Sequence, residues 1–211
     1  MVTETKIIKV FIGRVQPPHN EHVRVLRASI ATADHTVAVI GSINKDPSTK
    51  NPFTFEARKS MLEMALTPLE RQHITVVGQD DVPGDDSEWV ASVKANVKAA
   101  AAQRFPGAKF IFTLVGCHKG SDTYYLKLYK GWRLELVPQV ELLNATDIRN
   151  AFFEGQPLEI WAKNLPPSSA THLAAFKMYQ ESLYLRLCIE YEEMRHAKAV
   201  DDIERRALFG E

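Results

Sequence analysis

The sequence predicts an α/β fold: a parallel five-stranded sheet with helices on both faces, followed by a C-terminal helical segment. Three observations carry this. Short, β-rich apolar runs alternate with stretches of helical periodicity as far as about residue 150. The runs are apolar at consecutive positions, as strands covered on both faces must be. Strands joined through helices return in the same direction and so pair in parallel, through right-handed crossovers.

Taken in order, Lys6 to Ile12 (KIIKVFI) is the first strand. Glu21 to Ala33 is a helix that puts Val25, Leu26 and Ile30 on one face, with Val23 at its edge. His35 to Ser42 is a second buried strand, followed by the turn-rich loop INKDPSTKNP. Thr54 to Leu66 spaces Phe55, Leu62 and Leu66 as a helix face, with Thr54 as N-cap and Glu56 in the first turn. His73 to Gly78 is the third strand, and the acidic loop QDDVPGDDS follows it. Ser87 to Phe105 is a helix directing Val90, Val93, Val97 and Ala101 inward. Lys109 to Gly116 and Trp132 to Pro138 are the fourth and fifth strands. Beyond Ala145 the pattern changes. A short helix starts at NATDIRNAFFEG, PLEIWAKNLPPSS is broken, and Thr171 to about Arg206 reads as one or two long helices. We therefore divide the chain into an α/β domain, residues 1–150, and a helical subdomain, 151–211, packed on it.

Composition removes several function classes. The 211 residues suffice for one sizeable core. Lys plus Arg equals Asp plus Glu at 26 each, which argues against a protein that coats nucleic acid. No apolar run approaches the ~20 residues of a membrane span. The N-terminus lacks the layout of a signal peptide, and the two cysteines, Cys117 and Cys188, form no CxxC motif. The expected setting is reducing and cytoplasmic. Cys117, between Gly116 and His118, reads as a small residue at a strand end rather than a nucleophile. A homo-oligomer is compatible with the sequence.

Chemistry is concentrated in GRVQPPHNEH, Gly13 to His22. In an open parallel sheet, ligands bind beyond the carboxyl ends of the strands, where this loop lies. Gly13 allows close approach of the backbone, and Pro17 and Pro18 stiffen the loop. The helix begins near His19 or Asn20, and its free N–H groups make a ready anion site. His19 and His22 share one helical face in the first turn. With Arg14, they suit a polyphosphate. Surface decoration accounts for one histidine better than for two in this setting. Zinc would want cysteine partners or a different histidine spacing. A dinucleotide fingerprint would need G-x-G-x-x-G, which is missing.

GRVQPPHNEH resembles the G-R-F-x-P-x-H-x-G-H signature of the nucleotidylyltransferase superfamily, and NATDIRN (Asn144 to Asn150) resembles its second signature, S-x-T-x-I-R. Within it, KNPFTFEARKSML, DDSEWVASVK and GCHKGSDTYYLKLYKGWRLELVP resemble segments of nicotinamide-nucleotide adenylyltransferases of the archaeal type and of the bacterial type often fused to a Nudix domain. FKMYQESLYLRLCIEYEEM resembles the helices that end that domain, and no Nudix box follows. The chain departs from the pattern at Glu21 for Gly, Val15 for Phe, Pro18 for an aromatic and Asn144 for Ser. Asn caps a helix about as well as Ser. Glu21, at i+2 from His19, is expected to point away from it and outward.

The resemblance implies a Rossmann-like fold and a reaction of ATP with nicotinamide mononucleotide that gives NAD and pyrophosphate, without a covalent intermediate. It implies ATP contacts at Gly13, Arg14, Gln16, His19, His22, Thr146 and Arg149, with His19, His22 and Arg149 acting in catalysis. It implies mononucleotide contacts at Trp89, Asp80, Lys50, Phe53 and Lys119, with Trp89 stacking on the pyridinium. Mg²⁺ would arrive with ATP, and no protein ligand to it is named. Another nucleotidylyltransferase with a different acceptor, or a nucleotide sensor without turnover, would keep both signatures.

Overall fold

A computed structural model of the chain describes residues 4–82, 84, 86–117 and 127–209. Five strands, β1 (Thr5–Gly13), β2 (His35–Ile40), β3 (Ile74–Gly78), β4 (Lys109–Cys117) and β5 (Arg133–Val137), stand in the order β3-β2-β1-β4-β5. Every pairing is parallel. β1 takes the centre, paired on both edges, and its run from Ile8 to Ile12 is buried throughout.

The period of two along a strand sends alternate residues to two separate layers. Ile8, Val10 and Ile12 meet Val37, Val39 and Leu114 beneath α4 (Asp86–Arg104), which contributes Val90, Val93, Val97 and Ala101 as its periodicity predicts. Phe11, Ala38, Ile40 and Val115 face the other way. They pack against Val23 and Leu26 of α1 (Asn20–Ile30) and Leu62 of α2 (Phe55–Met64). Helices thus cover both faces. A third core joins α5 (Ala145–Phe153), α6 (Leu158–Ala162), α7 (Pro167–Tyr179) and α8 (Glu181–Phe209), and draws in Phe53 and Met61 from the sheet region.

Several boundaries differ from expectation for local reasons. α1 stops at Ile30 rather than Ala33, because the Ala31 amide still bonds the Arg27 carbonyl at 3.0 Å while the Thr32 amide turns back to the Ser29 carbonyl at 3.3 Å and tightens the last turn. A short helix, α3 (Pro68–Arg71), follows α2. It is set by a capping box between Thr67 and Glu70 with proline at its first turn, a signal present in TPLE. α7 begins at Pro167 rather than Thr171, since the proline after Pro166 suits a first helical turn. Gln180, at φ −120° and ψ 37°, leaves the helical region and separates α7 from α8.

Candidate functional site

The chain runs from β1 outward to β2 and β3 on one side, then returns to β4 and β5 on the other. The switch point lies between β1 and β4, and the turn after β1 opens onto it. A Cβ at Gly13 would come within 3.2 Å of the Phe11 ring, so glycine suits this exit from the strand. Val15 sits at φ 45°, a left-handed conformation that is strained for a β-branched residue. The Gln16–Pro17 bond is cis.

Long-range contacts hold this turn. The Gln16 amide is buried and clasps the Phe53 backbone, donating to its carbonyl at 3.0 Å and accepting from its N–H at 3.1 Å. Gln16, expected at ATP, thus directs its side chain into the protein, where it ties the first motif to the NPFT segment.

His19 is the N-cap of α1 and His22 its third residue. The His19 N–H donates to His22 Nδ1 at 3.2 Å, so an imidazole fills the place that a carboxylate takes in most capping boxes. With Nδ1 accepting, the proton of neutral His22 sits on Nε2, which is then a donor. The two rings stack at 3.6 Å. His19 is buried and His22 half-buried, so His22 is the more accessible member.

Three arginines surround the same turn. Arg14 is exposed. Arg149, on α5, is buried and donates to the Gln16 carbonyl at 2.7 Å and to Thr146 Oγ1 at 3.1 Å. These bonds occupy two of its five N–H donors. Thr146 itself is exposed on the first turn of α5. Asn144 caps that helix as expected, accepting from the Asp147 N–H at 2.8 Å. Arg58 was not foreseen. It is 1% exposed and donates to the carbonyls of Gly41 at 2.7 Å, Arg14 at 2.8 Å, Thr54 at 3.2 Å and Ser42 at 3.4 Å. A signal existed, because Arg58 stands four residues before Leu62 on the apolar face of its helix. Burial, reinforced by Arg14, lowers both Arg58 and Arg149 to about 10. Both stay cationic at neutral pH. Among the described residues, no ion pair neutralises any of the three.

Glu21 corrects an expectation. It does point away from His19, but it is 4% exposed rather than outward in solvent. Arg24 grips both its oxygens, at 3.0 and 2.8 Å, and those bonds hold its carboxyl below the usual carboxylate range.

The residues expected at the mononucleotide lie mainly at the β2–β3 side. Lys50 is exposed in the loop after β2. Asp80 is exposed beyond β3, while its neighbour Asp81 accepts from Ser42 Oγ at 3.0 Å and exchanges two bonds with Asn44. Trp89, in the first turns of α4, is half-buried and lies edge-on to Tyr129 at 6.3 Å. It packs on the first core with one part and stays open with the rest. Gln79 steadies this end of α4 by bonding Ser92 and Asn96. Phe53 instead puts its ring, 3% exposed, into the third core against Phe176 and His172. The apolar core and the Gln16 clasp decide its place, so the ring offers a ligand almost no surface. A recess of about 270 Å³ opens beside it, lined by Ile43, Lys45, Asn51, Thr54, Glu56 and Arg58. Lys119 lies outside the described residues. Cys117 ends β4, as expected.

Donors and cations thus gather at the end of β1, a set suited to an anion and not to a bare metal ion. Among the described residues no group of three or more His, Cys, Asp or Glu can hold a metal. No helix among them is long and apolar enough to cross a membrane.

The chain is similar to several known proteins. A cytidylyltransferase-like family model matches residues 10–104. A nicotinamide/nicotinic acid mononucleotide adenylyltransferase of Acinetobacter baylyi is 32% identical over 151 residues, 71% of this chain and 77% of that protein. A nicotinamide-nucleotide adenylyltransferase of Thermococcus kodakarensis is 28% identical over 188 residues, 87% of this chain and 91% of its own. In fold, the chain is similar to a bifunctional NMN adenylyltransferase/ADP ribose pyrophosphatase of Francisella tularensis, solved with AMP and a manganese ion. That match has a TM-score of 0.76 at 24% identity and covers 94% of this chain but 56% of that one.

Proposed function

The chain belongs to the nicotinamide mononucleotide adenylyltransferase family, and on that premise we propose that it transfers the adenylyl group of ATP to nicotinamide mononucleotide, giving NAD and pyrophosphate. The observation that carries this reading is the cluster of Arg14, Arg58 and Arg149, without ion-pair partners among the described residues, around two histidines at one helix start. Such a cluster suits a polyphosphate, since cations without ion-pair partners, two of them buried, favour an incoming anion.

The mononucleotide phosphate attacks the α-phosphorus of ATP in line and expels pyrophosphate, so the protein supplies position and charge rather than a nucleophile. His22, held through Nδ1, presents Nε2–H to the α-phosphate as negative charge builds there. His19, stacked beneath it, keeps the ring from swinging. Arg14 and the free donors of Arg149 hold the β- and γ-groups as they leave, with the Thr146 hydroxyl beside them. Arg58 stays behind the site and adds field while fixing the Arg14 carbonyl. Mg²⁺ bound to ATP would supply neutralisation of phosphate charge there, beside Arg14 and Arg149. On the acceptor side, the open face of Trp89 stacks on the cationic ring, and Lys50 and Asp80 flank it from the loops after β2 and β3. Neither Cys117 nor Cys188 forms a disulfide, in keeping with a reducing cytoplasmic setting.

The test is direct. Purified protein with ATP, Mg²⁺ and nicotinamide mononucleotide should form NAD and pyrophosphate one to one. Parallel reactions with nicotinic acid mononucleotide and with CTP define the acceptor and the donor. Turnover with CTP but not ATP, or with neither mononucleotide, would overturn the assignment.

A further inference from the structure

Glu21 stands where the superfamily signature has glycine, next to a site for a polyanion, and it is almost fully buried. Burying a carboxylate is costly unless it is both paired and hydrogen-bonded. Here it is both. Arg24, one helical turn on, grips it with two bonds. The Val140 N–H approaches Glu21 Oε2 at 3.4 Å. Arg24 Nη2 in turn donates to the Pro138 carbonyl at 2.6 Å. Pro138 and Val140 belong to the connection from β5 to α5, which leads within a few residues to Asn144, Thr146 and Arg149.

We propose that Glu21 and Arg24 together are a positioning pair that fastens the β5–α5 connection to the first turn of α1 and thereby sets the gap that the polyphosphate enters. The gap has two walls. One is the histidine turn, at the start of α1. The other is the start of α5. Arg149 joins them at the bottom through the Gln16 carbonyl. The Glu21–Arg24 pair joins them along the β5 side. Position explains why this glutamate does no harm beside a polyanion. At i+2 it turns away from His19, and at i−3 it shares a face with Arg24, which neutralises it. The pair acts on the polyphosphate side alone, because its bonds go to the β5–α5 connection, whereas Asp80 and Lys50 stand in the loops after β3 and β2, across β1 from it, and Trp89 belongs to α4.

The inference rests on the adenylyl-transfer reading, so the experiment has an arm that does not. The variants are Glu21→Gln, Glu21→Gly, Arg24→Met and the double Glu21→Gln/Arg24→Met. Hydrogen exchange at amides 139–144 reads the fastening itself, without turnover. Exchange should quicken in every variant, with the Glu21→Gln and Arg24→Met effects failing to add in the double. In turnover, the KM for ATP should rise about tenfold in either single variant and little further in the double, as expected for partners in one network. The KM for the mononucleotide and kcat should stay within about twofold, since neither residue touches the reacting atoms. A purely structural pair would lower the melting temperature and raise both KM values together, which overturns the proposal. Unchanged exchange also overturns it. If the variants show the exchange pattern while wild-type protein forms no NAD, the functional reading is refuted and the fastening stands.

Discussion

Arg58→Met removes the buried guanidinium behind the candidate site while keeping most of its volume. Three of the lost bonds are well formed, to Gly41, Arg14 and Thr54 at 2.7 to 3.2 Å, and the fourth, to Ser42 at 3.4 Å, is marginal. Hydrogen bonds from a charged donor are worth roughly 1.5–3 kcal/mol each. Against their loss stands relief from burying a cation. The fall from 12.5 to about 10 corresponds to roughly 3 kcal/mol of that burden, at about 1.4 kcal/mol per factor of ten. The difference predicts a net destabilisation centred near 3 kcal/mol. With a urea slope of about 2–3 kcal/mol per molar, the midpoint should fall by roughly 1–1.5 M. Arg58→Lys should fall in between, because one ammonium can meet the close Gly41 and Arg14 carbonyls but not Thr54 as well. In turnover, KM should rise for both substrates, since the released carbonyls belong to the loops after β1 and β2. A midpoint within the error of wild type would show that water replaces the guanidinium without loss and would refute the reasoning.

Three further outcomes are expected. His22→Ala should lower kcat by about 10²–10³, the usual loss for one charge-stabilising donor, with mononucleotide affinity nearly unchanged; turnover within a few-fold of wild type would remove His22 from the reaction. Trp89→Ala should weaken mononucleotide binding by about 1–2 kcal/mol and leave ATP binding intact, while Trp89→Phe loses less; calorimetric titration with each substrate separates this from general damage, in which both affinities fall. His35 is buried on Thr75, and burial pushes it from 6.5 down to about 4. The unfolded chain therefore binds a proton that the native one refuses, so stability falls as pH drops from above 6.5 towards 4, by about 2 kcal/mol between pH 7 and 5. Urea titrations at both pH values should show this difference in wild type and not in His35→Phe; equal slopes in the two proteins would place the effect elsewhere.

The sequence by itself determined the layers and marked the place of the candidate site. Consecutive apolar residues announced strands buried on both faces, and a period near 3.6 announced the inward face of α4, Val90, Val93, Val97 and Ala101. Glycine, prolines and two histidines behind the first strand marked the switch point, and Asn144 marked the start of α5. These signals are local, because periodicity and capping concern residues within a turn or two of one another. Only the tertiary structure decided which partners the polar side chains take. Gln16 reaches Phe53, Arg58 reaches Arg14 and Gly41, Arg149 reaches Gln16, and the Glu21–Arg24 pair reaches Pro138 and Val140. Each of these bonds spans a long stretch of chain, and nothing in the pattern around either end names the other. A buried donor or acceptor must find a partner somewhere, but which one it finds depends on how the strands are ordered. The order β3-β2-β1-β4-β5 sets the ends of β1 and β2, the start of α5 and the connection after β5 around one turn, and so gathers arginines, a glutamine and a glutamate from scattered letters into one candidate site.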